Sequence, residues 1–121
     1  MKRKILIIEN DSDIRNIIAL VLEEEGFETH SIPEPKNLGE ILHFEADVIL
    51  VDEFINNKPG HRVCQQIKQY EQLKNVPVII LSTANDIEVI VTECSANDYI
   101  KKPFDIQELV DKVIGVIDVK L

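Results

Sequence analysis

Four short apolar runs in this chain each end on polar residues that could take part in phosphate chemistry. The residues that follow the four runs are, in chain order, Glu9 and Asn10, then Asp52, then Ser82, then Lys101 and Lys102. In an open parallel sheet, ligands bind just beyond the carboxyl ends of the strands. If these runs are neighbouring parallel strands, two acids, an amide, a hydroxyl and an ammonium group meet at one edge. Such a set suits a divalent metal ion and a phosphoryl group.

The elements that would position these residues alternate between strand and helix patterns. Lys4 to Ile8 is a continuous apolar run, as expected for a strand buried on both faces. The stretch from 11 to 25 carries apolar residues at helical spacing, with Ser12 as the expected N-cap and Gly26 as the expected stop. Further strands are predicted at 27–32, 47–51, 76–81 and 97–100, the fourth helix at 84–95, and the start of the last helix at Pro103.

Five strand–helix units of this kind predict an α/β fold. Right-handed crossovers with helices on both faces give a (βα)5 flavodoxin-like doubly wound parallel sheet. The expected strand order is 2-1-3-4-5, with the switch point between strands 1 and 3. Glu9, Asn10 and Asp52 follow those two strands and are therefore expected to lie together.

Composition limits the classes of function. The 121 residues fit one domain, so we expect a single domain over 1–121 with no output domain visible. A net charge of -9 argues against nucleic-acid binding by this domain. No apolar run reaches the length of a membrane span and no secretory pattern opens the chain, so a cytoplasmic location is expected. Cys64 and Cys94 lack CxxC spacing and are expected to be free, partly buried thiols.

Four segments of the chain, IIEND, VDEF, LSTA and DYIKKPF, occur in order at the predicted strand ends. With them the chain resembles the receiver domain of bacterial two-component response regulators over nearly its whole length. Gly60 also lies eight positions after Asp52, as the glycine of this family follows its acceptor aspartate. The resemblance implies phosphorelay signal transduction, in which Asp52 accepts a phosphoryl group from a histidine kinase or phosphotransfer protein. An anionic carboxylate can attack phosphorus without a general base. Such a domain catalyses only its own phosphorylation and dephosphorylation, so we do not expect an enzyme.

The resemblance also implies a Mg2+ site. Its ligands would come from Glu9, Asn10, Asp52 and the backbone carbonyl of Phe54. Asn10 departs from the family, which usually has a carboxylate at this position. Loss of one anion about 4 Å from a dication removes about 2 kcal/mol even in a water-like environment, so Mg2+ binding could weaken tenfold or more. Asp11 is the next residue and could compensate in part.

Three further residues match roles in the family. Ser82 matches the hydroxyl that donates to a phosphoryl oxygen. Lys102 matches the lysine that pairs with carboxylate and phosphate; Lys101 competes for this role, but Lys102 precedes Pro103, and that peptide bond is predicted to be cis. Tyr99 matches the switch aromatic, and the alternative is a surface tyrosine on an edge strand. Together Ser82 and Tyr99 would alter the surface of helix 4, strand 5 and helix 5, to which a downstream protein effector would bind.

Departures from the family pattern favour two other interpretations. Asn10, Thr83 and the unusual loop after Asp52 suggest an atypical receiver that acts as a phosphorylation-independent protein-interaction module. A flavodoxin-like cofactor carrier or hydrolase has little support, because four glycines leave no phosphate-binding loop and there is no GxSxG motif. The sparse basic residues on helices 4 and 5 predict a monomer or weak dimer, and no membrane partner is expected.

Overall fold

Strands and helices alternate along the described residues, except where three strands follow one another before the third helix. The computed structural model describes residues 2–55, 58–83 and 85–120, except for the side chains of 54, 55, 58–61 and 118–120. The elements are β1 (Lys4–Ile8), α1 (Ser12–Glu24), β2 (Glu28–Ile32), α2 (Leu38–Phe44), β3 (Val48–Asp52), β4 (Phe54–Ile55), β5 (Lys58–Pro59), α3 (Gly60–Gln69), β6 (Val78–Ser82), α4 (Ile87–Cys94), β7 (Asp98–Lys101) and α5 (Ile106–Lys120).

Five of the strands form one parallel sheet in the order β2-β1-β3-β6-β7. When the two-residue strands β4 and β5 are set aside, this is the predicted order 2-1-3-4-5, so the predicted fold is confirmed. Strands β4 and β5 pair with each other in an antiparallel hairpin that the sequence did not predict. No helix in the described part of the chain is both long and apolar enough to cross a membrane.

Alternation of side chains along the strands divides the core between the two faces of the sheet. On one face, Ile8 and Ile49 pack with residues of α2, α3 and α4, including Ile41 and Ile67. On the other face, residues such as Leu50 pack with residues of α1 and α5. The central strands β3 and β6 are buried along their whole length, which explains why they read as continuous apolar runs. This rigid double-faced core holds the strand ends in a fixed register.

Several predicted boundaries differ from the observed ones. The third strand begins at Val48 because the side chain of Asp47 accepts a hydrogen bond from the backbone N–H of Lys4 instead of extending the strand's apolar run. The fourth begins at Val78 because Val76 closes a turn onto Leu73. Helix α4 begins at Ile87 and α5 at Ile106, both later than predicted, and residue 84 lies outside the described residues.

The predicted N-cap of α1 was wrong by one residue. Asp11 has extended backbone angles, and its carboxylate accepts from the backbone N–H groups of Asp13 and Ile14 at 2.9 and 3.1 Å. Asp and Ser are comparable N-cap residues, so composition alone could not separate Asp11 from Ser12. The Asp11 carboxylate therefore accepts hydrogen bonds from the first turn of α1.

Candidate functional site

The carboxyl ends of four parallel strands lie side by side. Ile8 pairs with Val51 in the register of β1 and β3, and Ser82 pairs with Lys101 in the register of β6 and β7. The backbone N–H of Lys102 continues this edge by donating to the carbonyl of Ser82 at 2.7 Å. The sheet therefore brings the residues after each strand to one edge, as a doubly wound fold requires.

A cluster of three charged side chains occupies this edge. The ammonium Nζ of Lys102 lies 2.8 Å from Oε1 of Glu9 and 3.0 Å from Oδ1 of Asp52. Glu9 is 1% exposed, and the side chains of Asp52 and Lys102 are 13% and 16% exposed, so water screens these contacts only in part. Lys101 is exposed. Lys102 thus contacts Glu9 although 93 positions separate the two residues in the sequence.

Burial and mutual contact set the charge states of this cluster. Burial raises the pKa of Glu9, the neighbouring Asp52 carboxyl raises it further, and Lys102 opposes both effects. Burial alone would lower the pKa of Lys102, but its hydrogen bonds to Glu9 and Asp52 outweigh this and raise the pKa. Lys102 therefore stays an ammonium at neutral pH. One ammonium between two carboxylates leaves the cluster one negative charge in excess when both acids are ionised.

The first turn of α1 holds Glu9 in place. The guanidinium of Arg15 donates to the backbone carbonyl of Glu9 at 2.8 Å, and the backbone N–H of Asp11 donates to Oε2 of Glu9 at 3.3 Å. The Asp11 carboxylate caps the helix, so it is not oriented as a substitute for the missing acid at position 10. No motif in the sequence marks Arg15, whose only signal is its place one turn after the N-cap.

The donor groups at this edge fit Mg2+. Glu9 and Asp52 both contact the same ammonium, so both carboxylates lie within reach of one small cation. Asn10 is exposed at the rim, and Phe54 begins β4 two residues after Asp52. Among the described residues, no group of three or more His, Cys, Asp or Glu side chains is arranged for a metal. Mg2+ commonly uses one or two carboxylates and keeps several waters, whereas a structural transition metal would need more side-chain ligands.

The other predicted residues lie on the two strands beyond Asp52. Ser82 is buried at the end of β6, next to the strand that carries Asp52. The hydroxyl of Tyr99, on β7, donates to Oε1 of Glu88 on α4 at 3.1 Å, and Glu88 raises the pKa of this phenol. On the other side, Nζ of Lys112 on α5 lies 5.3 Å from the centre of the Tyr99 ring. Tyr99 therefore connects α4, β7 and α5. The peptide bond between Lys102 and Pro103 is cis, as predicted.

A buried acid next to Asp52 was missed by the sequence analysis. Glu53 is 6% exposed, and its backbone N–H donates to the carbonyl of Leu81 at 2.7 Å. The sequence placed it in a polar loop, where no pattern distinguishes a buried glutamate from a solvated one. Thr83, one of the departures from the family pattern, is exposed.

Comparison with known proteins identifies the family. A family model described as the response regulator receiver domain matches residues 5–114. The chain belongs to the response regulator receiver family. The predicted resemblance is thereby confirmed, and the chain is a receiver domain of two-component signalling.

Individual relatives agree with this assignment. The transcriptional regulatory protein GltR of Pseudomonas aeruginosa is 29% identical over 95% of this chain and 49% of its own length. The sensory transduction protein RegX3 of Mycolicibacterium smegmatis is 32% identical over 93% of this chain and 50% of its own length. This receiver thus spans about half the length of the curated relatives it matches.

Solved structures show the same fold. A putative response regulator of Chloroflexus aurantiacus superposes with a TM-score of 0.91 at 26% identity, covering 98% of this receiver and 99% of that chain. The chemotaxis protein CheY4 of Vibrio cholerae superposes with a TM-score of 0.84 at 20% identity, covering 97% of this receiver and 99% of that chain, and this likeness concerns the fold alone.

Proposed function

We propose that this receiver accepts a phosphoryl group on Asp52 from a phosphohistidine of a histidine kinase or phosphotransfer protein. The observation that carries the proposal is the pairing of Asp52 and Glu9 with the single ammonium of Lys102. Asp52 is 9% exposed at the rim of the sheet, so its carboxylate is positioned by the core yet open to a donor. In the transfer, an Asp52 oxygen forms a bond to phosphorus while the bond from phosphorus to the histidine nitrogen breaks.

Lys102 and Ser82 have distinct roles in this proposal. Before transfer, the ammonium of Lys102 holds the Asp52 carboxylate at 3.0 Å. During transfer, negative charge moves onto the phosphoryl oxygens, and the same ammonium stabilises it because Lys102 is anchored on Glu9 as well. Ser82 is buried on the adjacent strand, where its hydroxyl would donate to a phosphoryl oxygen. Both residues favour the phosphorylated state without taking a proton from any reactant.

Mg2+ is the cofactor that the donor set supports. Glu9, Asp52, the amide oxygen of Asn10 and the carbonyl of Phe54 would hold it. When bound, the ion offsets the charge on the phosphoryl oxygens. The ammonium of Lys102 contacts Glu9 and Asp52, which are also proposed metal ligands, so the ammonium and the metal compete for these two carboxylates. We therefore propose weaker Mg2+ binding than a third carboxylate at position 10 would give.

The surface formed by α4, β7 and α5 is the proposed output of the switch. Tyr99 is tied to Glu88 on α4 and lies beside Lys112 on α5. A shift of Ser82 towards a phosphoryl group would alter the adjoining strand β7, because Ser82 pairs in register with Lys101 and its carbonyl accepts from Lys102. Release of Tyr99 from Glu88 would then change the shape presented to a downstream protein effector.

Phosphorylation can be tested with a small-molecule donor. The purified protein is incubated with acetyl phosphate and Mg2+, and its intact mass is measured. The expected result is the gain of one phosphate in the native protein, no gain in Asp52→Asn, and an undiminished gain in Asp111→Asn. Asp111 is exposed on α5, so its variant makes the same chemical change away from the site. No gain in the native protein, or an equal gain in Asp52→Asn, would refute the proposal.

A second function is favoured by the exposed amide at Asn10, where the family usually has a carboxylate. In that case the domain is an atypical receiver that binds its partner without phosphorylation. A Mg2+ titration separates the two. An atypical receiver shows no saturable binding at millimolar Mg2+, whereas the proposed receiver saturates.

A further inference from the structure

Two cysteines meet between α3 and α4, on the face of the sheet away from α1 and α5. Cys64 is fully buried and Cys94 is 2% exposed, and both are free thiols. The sulfur of Cys64 donates to the backbone carbonyl of Cys94 at 3.4 Å, and the sulfur of Cys94 donates to the backbone carbonyl of Val91 at 3.8 Å. Each thiol also shifts the pKa of the other. Thirty positions separate the two cysteines in the sequence, so no spacing motif predicts that they are in contact. The fold thus brings together two thiols that have no role in the proposed phosphorylation.

The two thiols differ in their chemistry. The hydrogen bond from Cys64 lowers the pKa of Cys94 to about 7, and the backbone N–H of Ala96 adds to this, while burial and the nearby Glu53 carboxyl oppose it. The same contact with Cys94, together with burial, raises the pKa of Cys64. A thiolate is the nucleophilic form of cysteine. Cys94 therefore has the properties of an attacking thiol and Cys64 those of a resolving thiol.

A cleft gives solvent a route to this pair. Its volume is about 420 Å3, and Cys94 lines it together with Lys68, Glu93 and Ser95. The ammonium of Lys68 is fixed at 2.8 Å from the carbonyl of Val76 and 2.7 Å from the side-chain oxygen of Asn97. Its positive charge favours thiolate at the pair, although burial lowers the pKa of Lys68 itself. The cleft is large enough for a molecule the size of hydrogen peroxide to approach Cys94.

We propose that Cys64 and Cys94 are a redox-sensitive dithiol that a peroxide converts to an intramolecular disulfide. In the first step, the Cys94 thiolate attacks one peroxide oxygen, an S–O bond forms, the O–O bond breaks, and the hydroxide released takes up a proton to become water. In the second step, Cys64 loses its proton and attacks the Cys94 sulfur, the S–S bond forms, the S–O bond breaks, and a second water leaves. The two sulfur atoms lose two electrons in total, and the peroxide is reduced to two waters.

The disulfide would tie α3 to α4, which is part of the proposed switch surface. The Cys64 sulfur already lies 3.4 Å from the backbone carbonyl oxygen of Cys94, so the two residues are in contact before any S–S bond of about 2 Å forms. The bond would fasten the C-terminal end of α4 to α3, and α4 carries the Glu88 partner of Tyr99. Movement of α4 would then be restricted. This proposal rests on the cysteines alone and does not depend on phosphorylation of Asp52.

Mass spectrometry of the reduced native protein tests the proposal directly. The protein is treated with hydrogen peroxide at neutral pH, and remaining thiols are labelled with N-ethylmaleimide under denaturing conditions. The expected result is a loss of two hydrogen atoms, no label, and full recovery of two labelled thiols after dithiothreitol. The melting temperature of the oxidised protein should rise by roughly 5–10 °C, because the bond closes a long loop. Amide exchange across 87–94 should slow on oxidation.

Single variants distinguish the two thiols. In Cys64→Ser, peroxide should give a Cys94 sulfenic acid that dimedone traps, whereas in Cys94→Ser the remaining thiol should react at least tenfold more slowly. Retention of two labelled thiols in the native protein after peroxide would overturn the proposal. So would disulfides found only between separate chains on a non-reducing gel, or gain of oxygen atoms at Cys94 without disulfide. These outcomes are all measured on the native protein, so the test does not require either variant to fold.

Discussion

The neutral amide at Asn10 provides the sharpest quantitative test of the metal site. The change Asn10→Asp adds one negative charge beside Glu9 and Asp52. Asn10 is exposed, so the water-like limit of Coulomb's law applies, and one anion about 4 Å from a dication contributes about 2 kcal/mol. Since 1.4 kcal/mol is a factor of ten, Mg2+ should bind about tenfold to thirtyfold more tightly. Physiological salt should reduce the gain towards the lower figure.

Isothermal titration calorimetry is the suitable assay, because the chain has no tryptophan to report binding by fluorescence. Native protein and Asn10→Asp are titrated with MgCl2 at two ionic strengths. The matched control is Asn75→Asp, which makes the same change at an exposed position in the turn before β6, at the opposite edge of the sheet. Its dissociation constant for Mg2+ should stay within twofold of the native value.

Two results would refute the electrostatic reasoning. If Asn10→Asp binds Mg2+ no more tightly than Asn75→Asp does, the ion is not held beside position 10. If Asn10→Asp tightens binding but the gain does not fall as salt increases, the effect is not carried by the added charge.

Three further predictions concern the charged cluster, the first helix and the switch surface. Lys102→Met should lower the free energy of unfolding by about 1–3 kcal/mol, because the substitution leaves two poorly solvated carboxylates facing each other, and Mg2+ should restore part of the loss. Lys101→Met, at the neighbouring exposed position, should change the free energy of unfolding by less than about 0.5 kcal/mol. Equal losses for the two variants in urea denaturation would contradict the prediction. Asp11→Ala should cost about 1 kcal/mol through loss of the α1 N-cap and Ser12→Ala should cost less, so the reverse order in the same assay would contradict the assignment. After treatment with acetyl phosphate and Mg2+, hydrogen exchange should change across α4 and β7 in native protein and not in Asp52→Asn; an unchanged pattern in both would remove the proposed switch.

Most of the fold could be predicted because its strands have an unambiguous signature. Strands β1, β3 and β6 each contain four consecutive buried apolar residues. Right-handed connections predicted a doubly wound sheet, and the strand order is the flavodoxin-like order that fits five strand–helix units. The hairpin of β4 and β5 was missed because two-residue strands carry no periodicity. Strand starts shifted where a polar or turn residue such as Asp47 caps the element instead of extending it.

The residues of the candidate site could be predicted from the sequence, but the contacts between their side chains could not. The family resemblance named Glu9, Asp52 and Lys102, but only the fold shows one ammonium within 3.0 Å of both acids. Arg15 had only its place one turn after the N-cap as a signal, and the buried Glu53 had none, because burial of a polar side chain depends on tertiary packing. The contact between Cys64 and Cys94 was likewise hidden, since helices α3 and α4 bring together residues from separate strand–helix units.

Location of the phosphoryl group on Asp52 tests the central proposal most directly. Protein treated with acetyl phosphate and Mg2+ is reduced with sodium borohydride, which converts an aspartyl phosphate to homoserine, and the modified position is found by peptide mass spectrometry. We predict homoserine at position 52 in the native protein and none in a sample from which the phosphodonor was omitted. An unmodified residue at position 52, or reduction at another acid such as Glu9, would contradict the proposal that Asp52 is the phosphoacceptor.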